Sequence, residues 1–230
     1  MWLKLENVAT ATTDLLIEWL QNNASPPNEF HLQARRSHRD MKAAVQAELE
    51  RRGAAHPLAT DVEAVAVRDE RTGAFDLWKM FLDSELLGQV VQAMAAPFTH
   101  EDVAKVIGIE ARGFPLGAAV ALQLHAGFVP IRKAGSFLPG PTLTTITRPD
   151  YEGKETELMM QRNAVRRQDR VLVVDDWAQT GSQLSAALDL VRQSRAHAVG
   201  VSVVIEQLST DARQPLPPVH ALVRYLPKTK

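Results

Sequence analysis

Short apolar runs alternate with amphipathic stretches over the second half of the chain. Val103–Ile109 and Val171–Val174 are rich in β-branched residues, as expected for strands that are buried on both faces. Each is followed by a stretch with apolar residues at helical spacing, namely Leu116, Val120 and Leu124 in the first and Leu184, Ala187, Leu188 and Val191 in the second. Gly127–Ile131 and Val199–Ile205 then return to the strand pattern. This repetition predicts an α/β fold with a parallel, Rossmann-like sheet flanked by helices.

The first half of the chain has weaker patterns. Residues 12–21 and Phe30–Arg52 have helical composition, and a Ser-Pro-Pro-Asn turn separates them. Glu63–Val67 alternates apolar and polar residues, which predicts a strand, whereas Glu85–Ala95 predicts a helix. The predicted helix at Phe30–Arg52 contains five arginines. They fit either a solvated helix face or, less simply, a contact to nucleic acid.

These patterns divide the chain into two parts. Residues 1–60 are predicted to form an N-terminal helical extension, and residues 61–230 the main domain. Ligand loops in a parallel sheet lie at the carboxyl ends of the strands, so the functional site is expected in the main domain.

Composition narrows the classes of function. The 230 residues include 26 Lys and Arg against 27 Asp and Glu, so the formal net charge of -1 offers no overall attraction for nucleic acid or an acidic membrane. The absence of cysteine excludes disulfides, thiolate metal sites and a cysteine nucleophile. No apolar stretch approaches the roughly 20 residues of a membrane helix, and the seven histidines show no ligand spacing. We therefore expect a cytoplasmic protein without a metal site built only from protein ligands.

The segment after the Val171–Val174 strand carries the strongest chemical signal. It reads Asp-Asp-Trp-Ala-Gln-Thr-Gly-Ser-Gln, from Asp175 to Gln183. Backbone N–H groups at such a turn and helix start can hold a phosphate, and the two carboxylates can accept hydrogen bonds from ribose hydroxyls. The simpler alternative is an acid pair at a strand end followed by a Ser/Thr helix cap.

Three further segments make the resemblance to a known family specific. Ile-Glu-Ala-Arg-Gly-Phe at 109–114, Ile-Arg-Lys at 131–133 and Leu-Pro-Gly-Pro-Thr at 138–142 precede the acid pair. Together the four segments resemble those of the type I phosphoribosyltransferases, and most of all the adenine phosphoribosyltransferases, over about Asp76 to Leu208. The resemblance implies the type I fold with a hood, which we place near residues 74–96.

The resemblance also implies roles for individual residues. The family uses 5-phosphoribosyl-1-pyrophosphate and a nucleobase, with Mg²⁺ bound mainly through the pyrophosphate and ribose oxygens of the substrate. Asp175, Asp176 and Asp150 are the implied catalytic residues, with Asp150 handling the proton of the base. The implied substrate-binding residues are Arg112 and Lys133 for pyrophosphate, Ala178, Gln179, Thr180, Gly181, Ser182 and Gln183 for the 5'-phosphate, and Phe75 and Trp177 beside the base.

The segment 134–160 resembles the loop that closes over the active site in this family and excludes water from the reaction. Asp150 stands in it where the family usually has Glu before Tyr-Gly, although an acid in a Pro-Asp turn is an equally simple interpretation.

Two regions depart from the family pattern. In the hood, Phe75 and Lys79 replace the usual Arg and Pro, which affects the base pocket. In the phosphate loop, Gln179, Ser182 and Gln183 replace smaller residues.

The sequence therefore supports two hypotheses. The first is a homodimeric purine phosphoribosyltransferase, with adenine as the expected base. The second is a regulator that kept the fold to sense the ribose donor or a nucleotide without turnover.

Overall fold

The computed structural model describes Val8, Met41, His56 and residues 58–69, 75–135, 137–150 and 153–225. The predicted N-terminal extension, with its two helices, lies almost entirely outside these residues and stays a prediction. Within the described part, no helix is long and apolar enough to cross a membrane.

The described chain contains five helices and nine strands in the order of an α/β protein. The helices are α1 (Ala59–Val65), α2 (Ser84–Ala95), α3 (Gly113–Gln123), α4 (Ser182–Gln193) and α5 (Thr210–Arg213). Short 3-10 helices span Trp78–Leu82 and Ala96–Phe98. The strands are β1 (Val67–Arg68), β2 (Phe75–Asp76), β3 (Lys105–Ile109), β4 (Gly127–Lys133), β5 (Thr142–Ile146), β6 (Glu157–Gln161), β7 (Arg170–Ala178), β8 (His197–Glu206) and β9 (Val219–Arg224).

Seven strands form one sheet in the order β5-β6-β4-β3-β7-β8-β9. Strands β4, β3, β7, β8 and β9 are parallel to one another, whereas β6 pairs antiparallel with both β4 and β5. Strands β1 and β2 form a separate antiparallel pair. The predicted α/β fold is confirmed, and the antiparallel pair β5–β6 lies within the 134–160 segment and the residue after it.

The alternation of side chains along β7 shows how the sheet is covered on both faces. Leu172 and Val174 belong to the core cluster that includes residues of α1, α2 and α3. Val171 and Val173 belong to the opposite cluster, which includes residues of α4. All four are fully buried, and each contributes on the order of 1.5–3 kcal/mol to folding. The continuous apolar run in the sequence follows from this burial on both sides.

Strand β7 is longer than the sequence pattern predicts. The predicted strand ends at Val174, but β8 continues to pair with β7 as far as Ala178. On the other side, the β3 ladder stops at Val174. Asp175 and Asp176 therefore lie inside a strand that is hydrogen-bonded on one side and open on the side of β3.

The predicted strand at Glu63–Val67 is wrong. Ala59–Val65 is helix α1, and only Val67 and Arg68 are extended, in β1. Ala59 and Val62, one helical turn apart, are buried against the hood side of the core. A helix places both of these side chains on one face. The alternation of apolar and polar residues over positions 63–67 resembles the strand pattern because the stretch is short.

Candidate functional site

An open cleft of ≈ 410 Å³ lies where β7 ends and α4 begins. It contains most of the residues that the sequence predicted for a site. Its lining consists of Asp150, Asp175, Trp177, Ala178, Gln179, Thr180, Gly181, Ser182, Gln183 and Leu184.

The turn between β7 and α4 has the geometry of a phosphate-binding loop. Gly181 has φ 75°, in the left-handed region, and its carbonyl accepts a hydrogen bond from the Ser185 N–H at 2.9 Å. The Thr180 hydroxyl donates to Ser182 Oγ at 2.9 Å and accepts from the Ser182 N–H at 3.3 Å. The start of α4 thus places backbone donors and two hydroxyls at the cleft, an arrangement that suits an anion.

Gln179 gives this loop an unusual feature. Its Oε1 atom is buried and has no hydrogen-bond partner among the described residues. A buried acceptor without a partner costs on the order of 1–3 kcal/mol. The long side chain therefore fills space beside the loop at a cost in stability.

Asp175 lines the cleft, whereas Asp176, Arg112 and Lys133 lie beside it and are not part of its lining. Asp175 is 7% and Asp176 6% exposed, and the Asp176 N–H donates to Asp175 Oδ1 at 3.0 Å. Burial raises the pKa of Asp175 well above its usual value, and the negative charge of Asp176 raises it further, while Lys133 opposes the shift. The site thus holds a carboxylate that gains from any ligand bringing hydrogen-bond donors or positive charge.

Arg112 binds one of these acids directly. It lies at the N-cap of α3, and its Nε donates to Asp176 Oδ2 at 2.5 Å. Its guanidinium carbon is also 5.9 Å from the centre of the Trp78 ring. The sequence predicted a pyrophosphate ligand at Arg112 and missed both contacts, since the partners lie 64 and 34 positions away in the chain.

Glycine allows α3 to begin directly against β7. A Cβ atom on Gly113 would lie 2.9 Å from Asp175 Oδ1 and 3.1 Å from the Val174 carbonyl oxygen. A Cβ on Gly108 would lie 2.1 Å from the Gly113 carbonyl oxygen. These two glycines bring the helix start and Arg112 to the acid pair, and Gly113, next to Arg112 in the sequence motif, was the available signal for this.

Lys133 is the last residue of β4, and Arg112 follows the end of the adjacent parallel strand β3. Its backbone N–H donates to Glu110 Oε2 at 2.8 Å, and the same carboxylate accepts from Arg132 Nε at 3.2 Å. Glu110 therefore fixes the end of β4 next to the turn that carries Arg112. Lys133 is close enough for its charge to lower the pKa of Asp175.

Asp150 forms part of a turn and also lines the cleft, so its position is compatible with both interpretations of its sequence context. Its Oδ1 accepts from the Lys154 N–H at 3.0 Å and its carbonyl accepts from the Gly153 N–H at 3.0 Å, as in a turn. The same residue lines the cleft together with the phosphate loop. The 134–160 segment thus brings one acid to the site.

The two aromatic candidates have different surroundings. Phe75 is 6% exposed, stacks on Tyr225 with ring centres 5.3 Å apart and meets the edge of Trp177 at 5.8 Å. It is absent from the cleft lining. Trp177 lines the cleft, and its indole N–H donates to Gln207 Oε1 at 2.9 Å. Trp177 is therefore the aromatic residue that a base in the cleft can reach without rearrangement of the core.

The described part of the chain contains no cluster of metal-ligating side chains. Among residues 58–69, 75–135, 137–150 and 153–225, no group of three or more His, Asp or Glu side chains could hold a metal ion.

Comparison with known proteins places these features in a family. A family model for the phosphoribosyl transferase domain matches residues 78–221. The adenine phosphoribosyltransferase of Acidothermus cellulolyticus is 43% identical over 142 residues, which are 62% of this chain and 78% of that enzyme. The Myxococcus xanthus adenine phosphoribosyltransferase is 42% identical over 125 residues, 54% of this chain and 66% of that enzyme.

Solved structures agree with the sequence relatives. The adenine phosphoribosyltransferase of Rhodothermus marinus has a TM-score of 0.64 at 34% identity and covers 73% of this chain and 99% of its own. The Giardia lamblia enzyme, crystallised with 9-deazaadenine, has a TM-score of 0.65 at 28% identity and covers 73% and 97%. The domain match spans more than half of the chain and contains the whole lining of the cleft. The chain belongs to the phosphoribosyltransferase family.

Proposed function

We propose that this protein transfers the 5-phosphoribosyl group of 5-phosphoribosyl-1-pyrophosphate to adenine, giving AMP and pyrophosphate. The observation that carries this proposal is the buried pair Asp175–Asp176 directly before the β7–α4 turn, with Asp175 and that turn lining one cleft. The sequence relatives and solved structures reported above, which are adenine phosphoribosyltransferases, support the choice of base.

The phosphate loop is the proposed site of the 5'-phosphate. The N–H groups at the start of α4 and the hydroxyls of Thr180 and Ser182 offer donors to its oxygens. Gly181 lets the loop turn without a side chain over the anion, because its φ of 75° is unfavourable for other residues. This contact would orient the ribose toward the acid pair.

The acid pair is the proposed partner of the ribose hydroxyls. Bond breaking at the anomeric carbon leaves positive charge on the ribose, and the carboxylates of Asp175 and Asp176 would stabilise it. Burial makes this effect large because no water screens the carboxylates. The hydroxyl donors would in turn lower the pKa of Asp175 toward its usual value.

Arg112 and Lys133 are proposed to bind the leaving pyrophosphate. A planar guanidinium can bind two oxygens at once, and an ammonium adds a second charge. Mg²⁺ is proposed to enter with the donor, held mainly by its pyrophosphate and ribose oxygens, since this ion keeps several waters. When Asp176 turns to the ribose, Arg112 loses its carboxylate partner and becomes available for pyrophosphate.

Asp150 and Trp177 are proposed to serve the base. The reaction breaks the bond from the anomeric carbon to pyrophosphate, forms the bond from that carbon to a ring nitrogen of the base, and releases the proton of that nitrogen. Asp150, in the cleft, is the proposed acceptor of this proton.

A homodimer and a cytoplasmic location, which the resemblance implies, belong to the same proposal.

A non-catalytic sensor of the ribose donor is the second candidate. The larger side chains of Gln179, Ser182 and Gln183 in the phosphate loop favour it, because they depart from the small residues of the family pattern. The intact acid pair, and the cleft that joins Asp175, the phosphate loop and Asp150, favour the enzyme.

The test is calorimetry of the full chain with the ribose donor and Mg²⁺, followed by a pyrophosphate-release assay. The assay compares adenine with guanine, hypoxanthine, xanthine, uracil and orotate. We expect donor binding and turnover with adenine. Binding without turnover on any base would support the sensor, and turnover on another base alone would correct the substrate.

A further inference from the structure

Trp78 is a half-exposed aromatic side chain at the edge of the site. It is 49% exposed, yet its backbone is fixed, because its N–H donates to Asp76 Oδ1 at 2.9 Å. Its neighbours Leu77 and Met80 are fully buried. A short helix with a fixed backbone thus holds a large apolar ring partly in solvent. This exposure of an aromatic side chain calls for a local explanation.

The ring contacts a residue of the proposed site. The guanidinium carbon of Arg112 lies 5.9 Å from the centre of the Trp78 ring, within the range of a cation–π interaction. The Phe81 ring packs against Trp78 at 5.5 Å. Phe81 and the buried neighbours of Trp78 therefore orient the indole toward Arg112.

Arg112 has two partners in this state, the carboxylate of Asp176 and the indole of Trp78. In the proposed reaction Asp176 turns to the ribose hydroxyls, so Arg112 loses the first partner as the donor binds. The second partner remains, because an aromatic face can hold the guanidinium plane while its N–H groups point at oxygens of the ligand.

We infer that Trp78 is a positioning residue that keeps the Arg112 guanidinium beside the acid pair for the pyrophosphate group of the ribose donor. The inference rests on the proposed function, and it adds a residue outside the segments 109–114, 131–133, 138–142 and 175–183. Without the indole, Arg112 would lose part of its preorganisation once Asp176 is occupied.

Three variants test the inference: Trp78→Ala, Trp78→Phe and Leu82→Ala. Leu82 lies in the same 3-10 helix and is 85% exposed, so its variant controls for loss of an exposed apolar side chain. Calorimetry with the donor and Mg²⁺ measures binding without any need for turnover. We expect Trp78→Ala to weaken donor binding by about three- to tenfold, the range of a partly exposed cation–π contact. Trp78→Phe should restore most of the loss, and Leu82→Ala should bind like the wild type.

A double-variant comparison identifies the route of the effect. In an Arg112→Ala background, Trp78→Ala should cause no further loss of donor affinity. An equal loss in that background, or a Trp78→Ala protein that binds like the wild type, would overturn the inference and leave the proposed function intact. A wild-type protein that does not bind the donor would overturn both. Thermal unfolding of the Trp78 and Leu82 single variants should stay within about 2 °C of the wild type, since these side chains are 49% and 85% exposed and surface substitutions change stability little.

Discussion

At the scale of single residues, the two buried acids of the site are electrostatically unfavourable in the free protein. Asp175 is buried beside a second acid, and both the burial and the neighbouring charge raise its pKa. Arg112 compensates Asp176, and the charge of Lys133 lowers the pKa of Asp175. Catalytic sites commonly hold groups in such strained environments, because the reacting substrate relieves them.

Asp175→Asn should stabilise the free protein while it impairs the reaction. The amide keeps an oxygen for the Asp176 N–H and removes the buried charge. We expect the free energy of unfolding at pH 7 to rise by about 1–2 kcal/mol, the scale on which uncompensated buried polar groups cost stability. Urea unfolding of both proteins measures this difference.

The pH dependence of that difference has a definite sign. Because the pKa of Asp175 is raised in the folded state, the unfolded chain loses its proton first as the pH rises. The wild type therefore loses stability from about pH 4, near the unfolded value, up through the folded pKa. The advantage of Asp175→Asn should be small at pH 4 and should grow as the pH rises, until the pH passes the folded pKa. An advantage that grows toward acid pH would contradict the assigned direction.

Asp176→Asn separates charge from geometry at the second acid. Asparagine can still accept the hydrogen bond from Arg112 Nε, so the fold should be retained. Turnover should fall by at least roughly tenfold, because the developing charge on the ribose loses a carboxylate. Steady-state kinetics with adenine and circular dichroism of the variant provide the measurement and its control. A fully active variant would remove Asp176 from the proposed catalytic set.

At the scale of secondary-structure elements, the site depends on how closely α3 approaches β7. Gly108 and Gly113 remove the side chains that would separate them. The helix start then carries Arg112 to the acid pair, and the turn into α4 carries the phosphate loop to the same place. Both loops lie at the carboxyl ends of parallel strands, where α/β proteins bind ligands.

Gly113→Ala tests this approach. The added methyl group would meet Asp175 Oδ1 and the Val174 carbonyl, so we expect a loss of about 1–3 kcal/mol in stability together with weaker donor binding. Gly88→Ala is the matched control, because a Cβ there meets nothing within 4 Å and α2 should gain up to about 1 kcal/mol. Thermal unfolding distinguishes the two. A Gly113→Ala protein as stable as Gly88→Ala would mean that α3 can shift without cost.

The sequence predicted elements and site residues with unequal success, for physical reasons. Strands β3 and β7 were predicted because burial on both faces demands continuous apolar runs. Helix α1 was missed because five alternating residues fit a strand as well as a helix. The turn that lines the cleft could be predicted because glycine and hydroxyl residues adjoin the acids in the chain, and its phosphate-binding role stays a proposal. The contact of Trp78 with Arg112 joins distant segments and leaves no local pattern.

At the scale of the whole molecule, the hood side of the core extends further toward the N-terminus than the proposed main domain. That domain was predicted to begin at residue 61, but α1 begins at Ala59 and crosses this boundary. Ala59 and Val62 pack in the same cluster as Leu77 and Met80 of the hood. Helix α1 therefore belongs structurally to the main domain.

Two truncated chains test where the domain begins. A chain that starts at residue 56 keeps α1, and a chain that starts at residue 66 loses it. We expect the shorter chain to be less stable by about 2–4 kcal/mol, from the lost burial of Ala59 and Val62. Urea unfolding of both, with the full chain as reference, gives the difference. Equal midpoints would instead place the start of the domain after Val65.

The position of β7 in the middle of the sheet affects how the protein can lose activity. Its neighbours β3 and β8 hold the strand that carries the acid pair, and β9 and β4 lie beyond them. The acids lie beyond the end of the β3 ladder, but the pairing of β7 with β8 continues to Ala178, so we expect the acids to lose their positions only when this central part of the sheet opens. Heat inactivation that begins at the acids must therefore coincide with global unfolding. Any inactive but folded form would have to arise at the periphery, in the hood or the 134–160 segment.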